Sequence, residues 1–215
     1  MRQYLAEFIA TFALVFIGAG SVLADSFTNG GIGLVGIALA HGLVLMSVVY
    51  ATGHISGGHV NPAVTISLWF ARKIKTKKAV LYVISQLLGG VFAGYLLSNI
   101  FTNINAGVPL LGEGVAFGTG IFLEAILTFF LVFVVFATAV DNRAPKGVYG
   151  AAIGLVLTFD ILMGGSLTGA AMNPARAFGP AFISGIWGNQ VVYWIGPIIG
   201  GVLAGLIYKF IILDK

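Results

Sequence analysis

Polar residues interrupt this chain at only a few places, and the runs between them are long. Six apolar stretches, at 4–24, 32–52, 79–100, 121–140, 148–167 and 191–213, each match the roughly 20 residues that a helix needs to cross a bilayer core. Two further apolar runs, 62–71 and 174–183, are only half that long. Segments of that length read as re-entrant or interfacial. The pattern predicts an all-α membrane protein of six transmembrane helices plus two re-entrant half-helices. The first stretch is too long for a cleaved signal, and Glu7 and Thr11 interrupt it.

Composition agrees with that pattern. The chain has 215 residues, of which 59% are hydrophobic and 8% charged. Soluble domains carry about a quarter charged residues. A surface this poor in charge cannot face water, so the chain is expected to be an integral membrane protein with the lipid bilayer as its surroundings. The formal net charge of +4 does not indicate nucleic acid, because the cations are sorted by loop. Arg72, Lys73, Lys75, Lys77 and Lys78 precede the third span, Arg143 and Lys146 precede the fifth, and Arg2, Lys209 and Lys215 lie near the ends. All face one side, which predicts cytoplasmic N- and C-termini, with the plasma membrane as the expected location. Arg176 alone falls on the other side. With Cys 0, disulfides, thiolate metal sites and thiol catalysis are excluded. No metal-ligand cluster, cofactor motif or Ser/His/Asp spacing is present, so the chain is not read as an enzyme.

The chain also repeats itself. "AEFIATFALVF" (6–16) matches "LEAILTFFLVF" (123–133), "SGGHVNPA" (56–63) matches "TGAAMNPA" (168–175), and "LLGGVFAG" (87–94) matches "IIGGVLAG" (198–205). Each half, about 1–105 and 118–215, holds three spans and a half-span within one domain, 1–215. An odd number of spans inverts the second half in the membrane, and inverted repeats with broken helices place a site near the midplane.

Asn is a strong N-cap and Pro is favoured at the first helical position. Asn61, Pro62 and Ala63 therefore start one half-helix, and Asn173, Pro174 and Ala175 the other. Inversion brings the two starts together, nose to nose. The preceding backbone, Gly57, Gly58, His59 and Val60 in one half and Gly169, Ala171 and Met172 in the other, is expected to run extended and to line a passage with carbonyl oxygens. The Asn amides would face the lumen as donors, between two positive helix ends. That suits a neutral hydrogen-bond acceptor and repels cations. Glu7 and Glu124 occupy matched positions within spans. A proton-coupled transporter would use such acids; the preferred reading is that each accepts hydrogen bonds from its own half's re-entrant loop. Asp160 is expected to bind the second re-entrant loop, and His54 to lock the first. Gly90-x-x-x-Gly94 and Gly201-x-x-x-Gly205 read as close helix packing.

The paired Asn-Pro-Ala motifs, "AEF" in the first span, "GHISGGHVNPAVT" and "NPARAFGPA" resemble the aquaporins of the major intrinsic protein family over nearly the whole length. That resemblance implies a right-handed aquaporin-like bundle, a homotetramer with one pore per chain, and passive flow of water without a cofactor. It also implies a selectivity filter of His41, Ile161, Ala170 and Arg176, which accounts for the isolated arginine. Glycerol facilitators of the family carry Asp after the filter Arg and a basic residue after Gly-Pro. Here those positions are Ala177 and Ala181, which implies the water-channel type. The His, Ile and Ala of this filter resemble plant vacuolar-membrane aquaporins, which also pass small neutral solutes such as ammonia, urea or hydrogen peroxide. A glycerol-type facilitator and an ion-coupled transporter are the alternatives.

Overall fold

The computed structural model describes residues 1–213. Eight α-helices follow in order: α1 (Arg2–Phe27), α2 (Gly33–Ser56), α3 (Pro62–Phe70), α4 (Thr76–Ile100), α5 (Phe117–Val135), α6 (Tyr149–Thr168), α7 (Pro174–Ser184) and α8 (Val192–Ile207). α5 and α8 each end in a wider π turn, Phe136–Val140 and Tyr208–Leu213. With those turns included, six helices among the described residues are long and apolar enough to cross a membrane. α3 and α7 have 9 and 11 residues, too short to do so at 1.5 Å per residue.

The packing repeats with the sequence. α1 lies on α4 as α5 lies on α8, and α2 meets α6 between the halves. Each half-helix packs on the last span of the other half, α7 on α4 and α3 on α8. Small residues permit this exchange. A Cβ added to Gly90 of α4 would sit 2.5 Å from the Ala175 carbonyl of α7, so only glycine allows that approach. At Gly201 of α8 a Cβ would lie 2.6 Å from the Ser67 side-chain hydroxyl of α3.

Polarity is distributed inside out relative to a soluble protein. Leu43, Ile84, Leu88, Phe122, Leu155 and Ile199 are exposed, whereas Glu7, Gln86, Glu124, Asp160 and Arg176 are buried. Water would penalise the first set and lipid the second. The side bearing the basic loops is called inner below. On the outer side, Asp25 caps the start of α2 by accepting from the backbone N–H groups of Ile32 and Gly33, at 3.0 and 2.7 Å.

Candidate functional site

The two re-entrant loops are built alike. Asn61 and Asn173 have extended backbone and cap their half-helices. Asn61 accepts from Ala63 N–H at 2.8 Å, and Asn173 from Ala175 N–H at 3.0 Å and Arg176 N–H at 3.3 Å. Pro62 and Pro174 occupy the first helical positions, where the missing N–H costs nothing.

The residues ahead of each cap are not extended. Gly57, Gly58 and Val60 have φ of 101°, 60° and 59°, and Gly169, Ala170 and Met172 of 79°, 41° and 50°. His59 and Ala171 interrupt this left-handed run. Alternation of that kind turns successive N–H groups toward one point and makes an anion nest. The anion is the intramembrane carboxylate. Glu7 accepts from His59 N–H at 3.0 Å and Val60 N–H at 2.7 Å, and also from Ser56 Oγ at 2.6 Å and Gln86 Nε2 at 2.8 Å. Glu124 accepts from Ala171 N–H at 2.9 Å, Met172 N–H at 2.7 Å and Thr168 Oγ1 at 2.7 Å. Tyr82 and Tyr193 close the copies, each donating at 2.7 Å to the carbonyl of Ser56 or Thr168. A left-handed non-glycine residue costs about 1–2 kcal/mol; bonds to a buried carboxylate are strong enough to hold three such residues in place.

The two loops are also tied to each other. Asn61 Nδ2 donates to the Met172 carbonyl at 2.8 Å, and Asn173 Nδ2 to the Val60 carbonyl at 3.0 Å. This corrects two expectations. One hydrogen of each Asn amide binds the opposite loop, which leaves one for the lumen. Val60 and Met172, whose carbonyls accept these bonds, are 0% exposed and line none of the cavities described next.

A string of three cavities runs through the bundle. The inner one, about 250 Å³, is lined by residues that include Gly57, Gly58, His59, Lys73 and Lys78. The central one is only about 20 Å³, room for a water or two. The outer one, about 180 Å³, includes Ile161, Gly169, Arg176 and His41. Inner and central cavities share Gly58 and His59; central and outer share His41 and Arg176. The central wall is apolar on one side, with Leu45, Val49, Leu131, Val135, Ile153 and Leu157. Leu14 and Val64 add to the apolar lining, and a polar line of Gly58, His59, Asn61, Ala171, Asn173, His41 and Arg176 completes it.

Arg176 and His41 meet where the centre opens outward. Arg176 Nε lies 3.4 Å from His41 Nε2, and His41 Nδ1 lies 2.9 Å from the Ile37 carbonyl. A carbonyl can only accept and a guanidinium can only donate. The ring is therefore neutral, with its proton on Nδ1. Ile161 lines only the outer cavity. Ala170, expected as a filter wall, lines none of the three, and its methyl sits beside Gly164 of α6.

Two contributors to this constriction were not anticipated. The Gly107 carbonyl, in a 3-10 turn of the loop between α4 and α5, accepts from Arg176 Nη1 at 2.8 Å. Gly18 of α1 leaves room for the imidazole: a Cβ there would lie 2.5 Å from the His41 ring. Neither residue stands in a repeated motif, so only the length of the 101–118 loop hinted at one of them.

Two polar residues depart from expectation. Asp160 is 1% exposed, yet its Oδ2 has no hydrogen-bond partner, so it does not bind the second loop. Thr168 and Glu124 already satisfy that loop's donors. His54 lies exposed in the last turn of α2, where the Ser56 hydroxyl takes the role foreseen for it by accepting from Gly58 N–H at 3.1 Å. Among the described residues no group of His, Asp and Glu could hold a metal ion.

Residues 1–208 match the family model described as Major intrinsic protein. "Aquaporin TIP4-4" of Zea mays is 47% identical, over 97% of this chain and 85% of its own length. "Probable aquaporin TIP3-2" of Arabidopsis thaliana is 45% identical, over 100% of this chain and 85% of its own. Among solved structures, the aquaglyceroporin from Plasmodium falciparum superposes with a TM-score of 0.87 at 25% identity, covering 98% of this chain and 96% of that one.

Proposed function

The chain belongs to the major intrinsic protein family and is an aquaporin of the water-channel type, and from that premise we propose how water crosses it. The path is the string of three cavities. The observation that carries this reading is the central constriction: about 20 Å³, a largely apolar lining, and a polar line that passes Asn61 and Asn173 on its way to His41 and Arg176. Water passes it in single file, accepting from the free hydrogen of each Asn amide. The first turns of α3 and α7 add their positive ends at the same place. Such dipole ends, and a filter arginine, are the recognised barriers to protons and cations in aquaporin-type pores. His41 and Arg176 form the filter, with Ile161 at its outer edge and the Gly107 carbonyl holding the guanidinium. Ala170 contributes through the turn it occupies.

The carboxylates support passive flow over ion coupling. Glu7 and Glu124 are 0% exposed and line none of the three cavities, and their oxygens are committed to backbone donors. The same chain is proposed to pass small neutral solutes of the ammonia, urea or hydrogen peroxide class, because its filter has an aliphatic rather than an aromatic outer edge. Assembly as a homotetramer is proposed from family membership, and cytoplasmic termini from the basic loops. The TIP-type names of its relatives give the plasma-membrane expectation no support and agree with the vacuolar-membrane likeness of the filter.

Stopped-flow light scattering of proteoliposomes tests the reading. Osmotic water flux should be fast, weakly temperature-dependent and indifferent to an imposed proton or sodium gradient. Flux that follows an ion gradient, or that equals protein-free vesicles, refutes it.

A further inference from the structure

The inner loop between α3 and α4 carries Arg72, Lys73, Lys75, Lys77 and Lys78. Inward placement of cations accounts for their side of the membrane, but not for their crowding or their local geometry. α3 ends in a tight hydrogen-bonded turn: Lys73 N–H donates to the Leu68 carbonyl at 2.8 Å and Arg72 N–H to Trp69 at 2.9 Å. This motif places its next-to-last residue in the left-handed region, where glycine is usual. Here the residue is Arg72, with φ 57°. α4 then begins with Lys75 as its cap and Lys77 and Lys78 in its first turn, without an acidic residue. Cations at a helix N-terminus oppose its dipole. The first puts a side chain where glycine is usual, and the second puts positive charge where the helix dipole disfavours it.

Among the described residues, no acidic side chain is paired with that charge. Among the described residues, Glu7, Glu124 and Asp160 are buried in the bundle, and Asp141 is paired with Arg143. Asp25 and Glu113 lie at the opposite side. Arg72, Lys73, Lys75 and Lys77 are exposed. Their depth is set by exposed Trp69 and Phe70 at the end of α3, aromatic residues of the kind that settle at the headgroup level. Trp69 Nε1 donates to Thr76 Oγ1 at 3.0 Å, which fixes the loop against the start of α4. Lys73 and Lys78 also line the inner cavity, so the cluster stands at the rim of the pore mouth.

We propose that this loop is a binding site for the phosphate-bearing headgroup of an anionic phospholipid of the inner leaflet, held by the exposed Arg72, Lys73, Lys75 and Lys77, with Lys78, whose Nζ lies 5.0 Å over the Tyr82 ring, behind them. Such a headgroup supplies the missing counter-charge, at the depth that Trp69 and Phe70 define. A headgroup with several phosphates fits best, since four exposed cations crowd one short loop.

The test is a binding titration of the full chain in neutral detergent, with dioctanoyl phosphatidylinositol bisphosphate as probe. Dioctanoyl phosphatidylcholine and free inositol trisphosphate serve as comparators. The anionic lipid should bind and be displaced by salt, while the choline lipid should not bind. Each lysine near an anionic headgroup contributes about fivefold in affinity. Lys75→Gln with Lys77→Gln should therefore weaken binding about 25-fold, Lys75→Arg with Lys77→Arg should retain it, and Lys146→Gln in the other inner loop should leave it unchanged. Equal binding of the choline lipid, an affinity indifferent to salt, or a glutamine variant as tight as the parent overturns the proposal. Inositol trisphosphate binding as tightly as the lipid overturns the lipid assignment in favour of a soluble phosphate. Should the glutamine variant not fold, the salt dependence of the parent chain decides.

Discussion

Replacing Glu124 by Gln removes one charge and exchanges one oxygen for an NH₂ group, and the structure says where the loss falls. Glu124 takes Ala171 N–H and Thr168 Oγ1 on one oxygen and Met172 N–H on the other. Thr168 accepts from Ala170 N–H at 3.1 Å, so its own proton is free to go to Glu124. All three partners donate, and the carboxylate only accepts. A Gln oxygen in the first position keeps two bonds, but as neutral ones. Bonds to charged groups contribute about 1.5–3 kcal/mol and neutral ones about 0.5–1.5, so each loses about 1 kcal/mol. The new NH₂ then faces Met172 N–H, donor against donor, and an orphaned buried donor costs about 1–3 kcal/mol. The sum is about 3–5 kcal/mol, spent on a loop that holds left-handed Ala170 and Met172. Met172 turning away would release Asn61 Nδ2 and break the tie between the halves. Thermal unfolding in detergent should show the destabilisation, and stopped-flow scattering a large loss of water flux per folded channel. Thr168→Val should be non-additive with Glu124→Gln, because both act on the same carboxylate. A Glu124→Gln channel with parental stability and flux would refute the nest as the element that shapes the pore.

Four further outcomes are expected. Asn173→Asp places a negative charge between the two helix starts and removes the bond to the Val60 carbonyl; proton and sodium leak, measured beside water flux, should rise from the parental baseline. Arg176→Val frees the Gly107 carbonyl and opens the filter, so urea permeability should increase severalfold while water flux persists; unchanged urea flux would place the constriction elsewhere. Gly18→Ala drives a methyl into the His41 ring, which the Ile37 carbonyl anchors from the other side; water flux should fall with the stability changed by about 1–3 kcal/mol, as for an overpacked core. The fourth concerns pH. Asp141 is held below the usual carboxylate range by hydrogen bonds from Arg143 and, more weakly, Tyr208. A depressed carboxylate stabilises the fold above its unfolded pKa of about 3.9 and loses that contribution only as pH falls below it. Hydrogen exchange of the 141–148 loop should thus show constant protection, after correction for intrinsic rates, from pH 8 to pH 5, and less below pH 4. Arg143→Ala should lower that protection already at pH 7.

The sequence by itself determined the features that depend on local pattern. Apolar length set the six spans, and Asn-Pro set the starts of α3 and α7 within a residue. Self-similarity set the inversion and with it the meeting of Asn61 and Asn173. Glu7 and Glu124 were legible as loop partners because each sits at the same place in its repeat. Other features were decided only when distant segments met. A residue's φ is chosen by where its N–H must point, so the left-handed turns at Val60 and Met172 followed from the position of a carboxylate on another helix. The amides of Asn61 and Asn173 look free in the sequence, yet each spends a hydrogen on a carbonyl more than a hundred residues away. Gly18 and Gly107 shape the constriction through the absence of a side chain and through a backbone oxygen, neither of which carries a signal in residue type. Asp160 failed for the converse reason: its position on α6 is local, but the loop donors it was assigned had already been taken by Glu124 and Thr168, and that competition exists only in three dimensions.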